Sequence, residues 1–569
     1  PGLVIVGWWT GFPFWQSFLI CASGGVLGVL FTIPLRRALV TNSDLPYPEG
    51  VAAAEVLKVG SSARGEGVND ASEAREGLTA VALGTAASAG LAILGATRVI
   101  AAELGGVFRL GATAASGYSI AWSLALFGAG HLVGLSVGLA MLTGLLIAWA
   151  VAVPVLTSLA PAVDAASLTS NTMTIWRTQV RFIGAGAIGV SAIFTLAMLA
   201  RPVFEGLVST LRSSQRSATA GDDRDRDIGP TWIIGLTVVC LLVTGWLAWG
   251  FARDSALAPS ALALTALAVP FVLVVGFLIA GVAGYMAGLI GASNSPISGI
   301  GILAIVICAS LVAMVVSPTV ETRSVLVAFA LFVTSIVFAC ATISNDNLQD
   351  LKTGQLVGAS PMKQQIALIV GVLAGAAVIS PVLNLLAKAY GFAGAPNIGV
   401  LSENALPAPQ ATLISALAQG VIGGNLDWGM IGIGAVVGVA LIVINAILKA
   451  TGRGSLPPLA VGIGIYLPMS ATFAVVVGAA VGHWYNKRAL RSSQPTRAER
   501  LGTLVASGLI VGESLFGVLT AGLIVATAND APLALVGEDF APARILGLVG
   551  FVLLVVGLYR WMLGRVQRA

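Results

Sequence analysis

Apolar runs of about 20 residues or more alternate along this chain with short breaks rich in charge, Pro or Gly, and each run is long enough to cross a bilayer as a helix. The runs fall near 14–40, 77–99, 131–157, 179–200 and 231–251, and then near 262–290, 297–317, 322–342, 362–386, 429–449, 456–484, 501–527 and 544–563. The pattern predicts an all-α polytopic membrane protein with thirteen spans. PGLVIVGWW at residues 1–9 reads in addition as the end of a helix begun upstream. Trp8, Trp9, Trp484, Tyr485, Tyr559 and Trp561 lie at run ends, where aromatic rings anchor at the membrane interface.

Two of the breaks share a phrase. Leu45-Pro46-Tyr47-Pro48-Glu49 and Leu406-Pro407-Ala408-Pro409-Gln410 each precede an Ala-containing apolar stretch. Their flanks keep the same order. WQSFLICASGGVLGVLFTIPL at 15–35 parallels KQQIALIVGVLAGAAVISPVL at 363–383, the span opening at Gly77 pairs with that at Gly429, and VGLSVGLAM from Val133 pairs with VGIGIYLPM from Val461. The reading is a duplication, with a first transmembrane repeat over 1–254 and a second over 255–569. Completing the first repeat gives sixteen spans in the intact protein, as two parallel eight-helix halves whose Pro-broken re-entrant segments lie at matching places.

Composition agrees with the membrane reading, since 57% of residues are hydrophobic and 10% charged, against about 25% charged in soluble domains. Ser255 to Val320 contains no Asp, Glu, Lys, Arg or His at all. The net charge of +5 is scattered over loops, so it indicates orientation and not nucleic-acid binding. The basic loop with Lys487, Arg488, Arg491, Arg497 and Arg500 and the tail with Arg560, Arg565 and Arg568 fit the cytoplasm. The Arg- and Asp-rich loop at 201–230 balances its charges and reads as solvated. Cys21, Cys240, Cys308 and Cys340 stand singly in apolar runs, which indicates neither a disulfide framework nor a zinc site.

Five segments carry a resemblance: LPYPEGVAAAEVLKVG at 45–60, ASNSPISGIGI at 292–302, NDNLQDLKTGQLVGASPMKQQ at 345–365, GGNLDWGMIGIGAVVGV at 423–439 and ERLGTLVASGLIVGESLFGVL at 499–519. Together they resemble the oligopeptide transporter (OPT) family, in its prokaryotic branch close to the yellow-stripe-like metal-chelate carriers. The resemblance implies proton-linked uptake of small peptides or of metal chelates such as siderophore or nicotianamine complexes. It also implies two further spans and an Asn-rich segment ahead of residue 1.

Several polar residues inside the apolar pattern are candidates for the substrate or proton path. Two prolines two apart cannot continue a helix, so 44–60 reads as a re-entrant hairpin with Tyr47 in its turn and Glu49 in the first turn of a half-helix. Glu49 then either caps that helix or binds a proton or a cationic amine. Gln410 is its neutral counterpart. Asn294 and Ser295, before Pro296, form either a surface turn or unwound backbone facing a cavity, and Asn425 follows the second phrase. Asn345, Asp346 and Asp350 lie in the densest polar patch between two apolar runs, read as a loop or gate. A carboxylate pair there also has the look of a membrane prenyltransferase magnesium site, the enzyme alternative. Glu513 stands in mid-span, where a carboxylate is costly and marks either proton coupling or a packing contact. His131 and His483 at run ends read as interfacial.

The expectation is a multi-pass secondary transporter of the prokaryotic inner membrane, with lipid, protons and a small peptide or metal chelate as partners and homo-oligomers possible. No cofactor and no nucleic acid enter this reading. No GxxxxGK[ST] motif is present, so ATP is not the energy source within this chain, and the resemblance implies the proton gradient in its place. A channel would need rings of like side chains from several subunits.

Overall fold

A computed structural model describes the chain apart from residues 44, 46, 48, 52, 55, 56, 58–67, 162–166, 192, 195, 196, 199–225, 291, 293–296, 397, 398, 401–404, 407, 424–427, 538, 539, 568 and 569. It is all-α but for one hairpin, and ten helices among the described residues are long and apolar enough to cross a membrane. Most follow the apolar runs, as at Pro230–Arg253, Pro361–Tyr390, Trp428–Ala450 and Ala543–Gln567. Their exposed faces are apolar, with Val370, Val378, Val436 and Leu553 each more than half accessible, as a lipid-facing helix requires.

Contacts divide the chain into two compact units, and neither coincides with the sequence division at 254/255. The first comprises Pro1–Gly67, Ala192–Val400 and Asn404–Leu426; the second comprises Val68–Ser191, Leu401–Glu403 and Asp427–Ala569. Each unit therefore takes chain from both proposed repeats. In both repeats the boundary falls shortly after the LPxP phrase.

The first unit is centred on Phe14–Arg36 and Arg323–Val357. Close approach between these helices explains the glycines of the first. A Cβ at Gly24 would sit 2.4 Å from the Ile336 carbonyl oxygen, and one at Gly28 2.6 Å from that of Cys340, so only a bare backbone fits. Arg323–Val357 has 35 residues and spans about 50 Å at ~1.5 Å per residue, well beyond a ~30 Å hydrocarbon core. Its last turns hold the polar patch from Asn345 to Gln355. The sequence predicted a loop there, and the helix instead runs through it unbroken to the left-handed Gly358. Packing overrides the local polarity, because Ser344, Asn345, Asn347, Gln349 and Thr353 are all buried.

The second unit is a set of glycine-mediated helix pairs. Val68–Ala96 packs on Pro495–Thr527 through Gly84, Gly508 and Gly512, and Leu124–Val133 packs on Met469–Ala489 through Gly130 and Gly478. Leu135–Leu146 packs on Pro458–Tyr466 through Gly144 and Gly464, and the helical residues 181–191 meet Trp428–Ala450 through Gly186 and Gly434. An added Cβ at any of the last six would lie 2.0–2.2 Å from a carbonyl oxygen of the partner helix. Two segments depart from the predicted spans. The run at 456–484 breaks at Leu467-Pro468 into two helices, and Glu103–Leu110 pairs antiparallel with Ala114–Ala121 where the sequence predicted only a connection.

Tyr485 and Tyr559, expected at the interface, are interior residues, at 0% and 5% exposure. They enclose His131, which is also buried. Its Nδ1 lies 2.6 Å from the Tyr559 hydroxyl, in space that Gly482 and Gly502 leave open.

Candidate functional site

The first LPxP phrase is held in place before it can present anything. Tyr47 is fully buried in a left-handed backbone conformation (φ 43°), donates its N–H to the Gly288 carbonyl (2.9 Å) and its hydroxyl to the Leu39 carbonyl (2.8 Å). Burial pushes its phenol pKa up, so it stays a neutral donor. Tyr47 is thus the buried anchor of the segment.

The helical turn that follows is clamped to the polar end of Arg323–Val357. The Gln349 side chain donates from Nε2 to Glu49 Oε2 (2.9 Å) and to the Ala287 carbonyl (2.7 Å), and its Oε1 accepts the Gly50 N–H (2.8 Å). One turn on, the Thr353 hydroxyl donates to the Gly50 carbonyl (2.9 Å). Glu49 Oε2 also accepts the Ala292 N–H (3.1 Å), and Asn345 Nδ2 donates to the Ala292 carbonyl (3.3 Å). Asn345, Gln349 and Thr353 recur every four residues and form one stripe that grips two separate backbone segments. Glu49 joins the two, in a role closer to a structural clamp than to an isolated acid. Sequence reading missed Gln349 and Thr353, and their four-residue spacing with Asn345 was the available signal.

A second face of the same helix opens into a cavity of about 1250 Å³. Asp346, Asn347 and Asp350 line it, opposite Gln364, Leu368 and Val372 of Pro361–Tyr390. Gly371 and Gly375 also line it, and a Cβ on either would meet nothing, so the wall is open there. Asp346 and Asp350 are one turn apart. Among the described residues the cavity has no Lys, Arg or His in its wall, and no three His, Cys, Asp or Glu side chains lie close enough to hold a metal ion. The second Asp-rich segment that the enzyme alternative would need, at 222–227, lies mostly outside the described residues.

The end of the 201–230 loop is anchored, not free. Arg36 makes a two-pronged ion pair with Asp227 (Nε–Oδ1 2.7 Å, Nη2–Oδ2 2.9 Å). Gln365 donates to Asp227 Oδ1 (2.6 Å) and accepts the Ile228 N–H (3.0 Å).

In the second unit, Glu513 lies halfway along Pro495–Thr527 and caps another helix. Its Oε1 accepts the Ser123 hydroxyl (2.7 Å) and its Oε2 the Ala125 N–H (2.9 Å), while Ser123 Oγ accepts the Leu126 N–H (3.1 Å). Ser123 and Glu513 thus satisfy the exposed donors at the start of Leu124–Val133. Both carboxylate oxygens of Glu513 are thus engaged by a neighbouring helix. The other candidates are dispersed. Gln410 is exposed at the start of Pro409–Gly423, which packs on Gly2–Ile5 and Ile297–Val315. Asn294, Ser295 and Asn425 lie outside the described residues.

Comparison with known proteins follows the same lines. Residues 1–524 match the family model described as OPT oligopeptide transporter protein. The chain is 43% identical over 577 aligned positions to a Haemophilus influenzae protein described as "Putative oligopeptide transporter", covering 98% of this chain and 89% of that one. It is 28% identical over 206 positions to an Arabidopsis thaliana "Probable metal-nicotianamine transporter YSL5", covering 34% of this chain and 27% of that one.

Proposed function

The chain belongs to the OPT oligopeptide transporter family, and on that premise we propose that it is a secondary carrier that takes up small peptides across a prokaryotic inner membrane, driven by the proton gradient. It is a multi-pass integral membrane protein and a transporter, not an enzyme. The observation that carries the peptide reading is the end-to-end similarity to a protein named for oligopeptides, set against a match of 34% of the chain to one named for metal-nicotianamine. Carboxylates within spanning helices, at Asp346, Asp350 and Glu513, supply groups that can exchange protons during a transport cycle.

The helix pairing supports the internal duplication. The four segments of the second unit from the first half pair with those from the second half in reverse order, first with last and last with first. A pseudo-two-fold axis relating two copies produces such an order. The test is uptake into proteoliposomes of labelled dialanine and of an iron–nicotianamine chelate, with and without an inward proton gradient. Gradient-driven accumulation of dialanine supports the proposal. Accumulation of the chelate alone overturns it.

A further inference from the structure

We propose that the cavity beside the Glu49–Gln349 clamp recognises the free amino terminus of its peptide, holding the ammonium group between Asp346 and Asp350 with Asn347 as third acceptor. The inference rests on the peptide reading and adds which end of the peptide is read.

Three observations converge on an ammonium. Asp346 and Asp350 face the cavity one helical turn apart, and among the described residues neither carboxylate pairs with a cation. Two like charges so placed raise each other's energy, and a bound cation relieves it. Asn347, at 0% exposure, lines the same cavity. Its Nδ2 donates to Thr32 Oγ1, and its Oδ1 has no hydrogen-bond partner. A buried amide oxygen without a donor is costly by about 1–3 kcal/mol unless something entering the cavity supplies one. Across the cavity Gln364 repeats the pattern, with its Nε2 on the Asp350 carbonyl and its Oε1 unpartnered.

The site is therefore rich in acceptors and short of donors, and a primary ammonium is a compact source of three. A bare metal ion fits less well, since no third carboxylate, His or Cys joins the pair among the described residues. A proton alone does not require about 1250 Å³ of space, which is ample for a short peptide. The remaining wall, with Leu57, Ile343, Leu368 and Val372, suits apolar side chains. It presents no described basic group to a carboxylate, so the peptide's carboxyl end is not read by charge here.

The experiment is competition against labelled dialanine on the full-length carrier in proteoliposomes, with dialanine, N-acetyl-dialanine and dialanine amide as competitors. N-acetylation is expected to weaken binding by about tenfold or more, the loss of a charged hydrogen-bonded group, while amidation changes it little. In Asp346→Asn/Asp350→Asn, dialanine should fall to the affinity of the N-acetyl peptide, whose own binding is retained and reports an intact fold. Asp350→Glu should keep the preference for the free amine. If the double variant loses the N-acetyl peptide as well, the two single Asn variants are read the same way. Undiminished discrimination in the Asn variants, or equal binding of free and acetylated peptide by the unmodified carrier, overturns the assignment and leaves peptide transport standing. Failure of all three peptides to bind overturns the peptide reading itself.

Discussion

Replacing Glu513 by Gln separates packing from proton coupling, because the residue's two oxygens each accept a hydrogen bond from the start of Leu124–Val133. Gln has one acceptor oxygen. With that oxygen on the Ala125 N–H, its amide donates to the second lone pair of Ser123 Oγ, which already accepts the Leu126 N–H, and the Ser123 hydroxyl proton loses its carboxylate acceptor. Both charge-assisted bonds become neutral ones, and the favourable placement of negative charge at a helix N-terminus is lost. A hydrogen bond to a charged group contributes about 1.5–3 kcal/mol and the N-terminal charge about 0.3–1 kcal/mol. Glu513 is partly accessible, so the lower end applies and Glu513→Gln should cost about 2 kcal/mol. Glu513→Ala removes both acceptors and should cost about 3 kcal/mol or more. The assay is unfolding in detergent followed by intrinsic fluorescence, run beside gradient-driven accumulation and equal-compartment exchange of dialanine. If capping is the residue's main task, stability falls in both variants, and accumulation and exchange decline together. Unchanged stability of Glu513→Gln with lost accumulation and preserved exchange would refute the capping account and make the carboxyl a coupling group.

Other contacts give sharper stability tests. Gly478→Val places a Cβ 2.0 Å from the Phe127 carbonyl oxygen and should lower stability by about 3 kcal/mol or more, whereas Gly90→Ala meets no atom within 4 Å and should raise it by about 0.5 kcal/mol; thermal unfolding of the pair checks whether glycine is needed for contact or merely tolerated. Arg497 donates to Glu76 Oε2 (2.8 Å), and their side chains are 28% and 8% exposed, so Arg497→Met strands a buried carboxylate and should cost about 3 kcal/mol; Arg497→Met/Glu76→Gln should recover most of it, and a double variant no better than the single one would contradict the pairing. Gln349→Leu leaves the Gly50 N–H and the Ala287 carbonyl without their side-chain partner and should cost about 2 kcal/mol and cut dialanine uptake severalfold, measured as initial rates at equal protein in the membrane; full activity would show that the clamp is dispensable.

The spans were legible because hydrocarbon excludes charge so strongly that a long uncharged run has few other uses. The polar end of Arg323–Val357 was not legible by the same rule. Polarity marks a loop only when water is what satisfies it, and here protein does, with Gln349 and Thr353 turned to the LPxP segment and Asp346 and Asp350 to the cavity. Both sets repeat every four residues, so periodicity held the helix while composition argued for a break. His131, Tyr485 and Tyr559 failed for a related reason. Position at the end of an apolar run predicts an exposed ring, but His131 bonded to Tyr559, and Tyr485 bonded to the Ala498 carbonyl, can be buried together. The hairpin from Glu103 to Ala121 carries four glycines and only short alternation, and the turn at Gly111 (φ 71°) is its one firm local signal.

Sequence order and spatial order answer different questions here. The duplicated phrase is visible because two stretches of chain kept the same residues, and it locates equivalent positions without saying which of them touch. Contact then follows from the glycines. Gly144 lies against Val461 while Gly464 lies against Met141, and Gly186 lies against Ile431 while Gly434 lies against Ile183. Each helix of such a pair offers its bare backbone to the other's carbonyls, so a substitution on either side disrupts the same contact. A lone glycine in an apolar run signals only that something approaches closely. Two glycines in different halves that answer each other identify what approaches, and that reciprocity, absent from either run taken alone, is why the second unit is assembled from both ends of the chain.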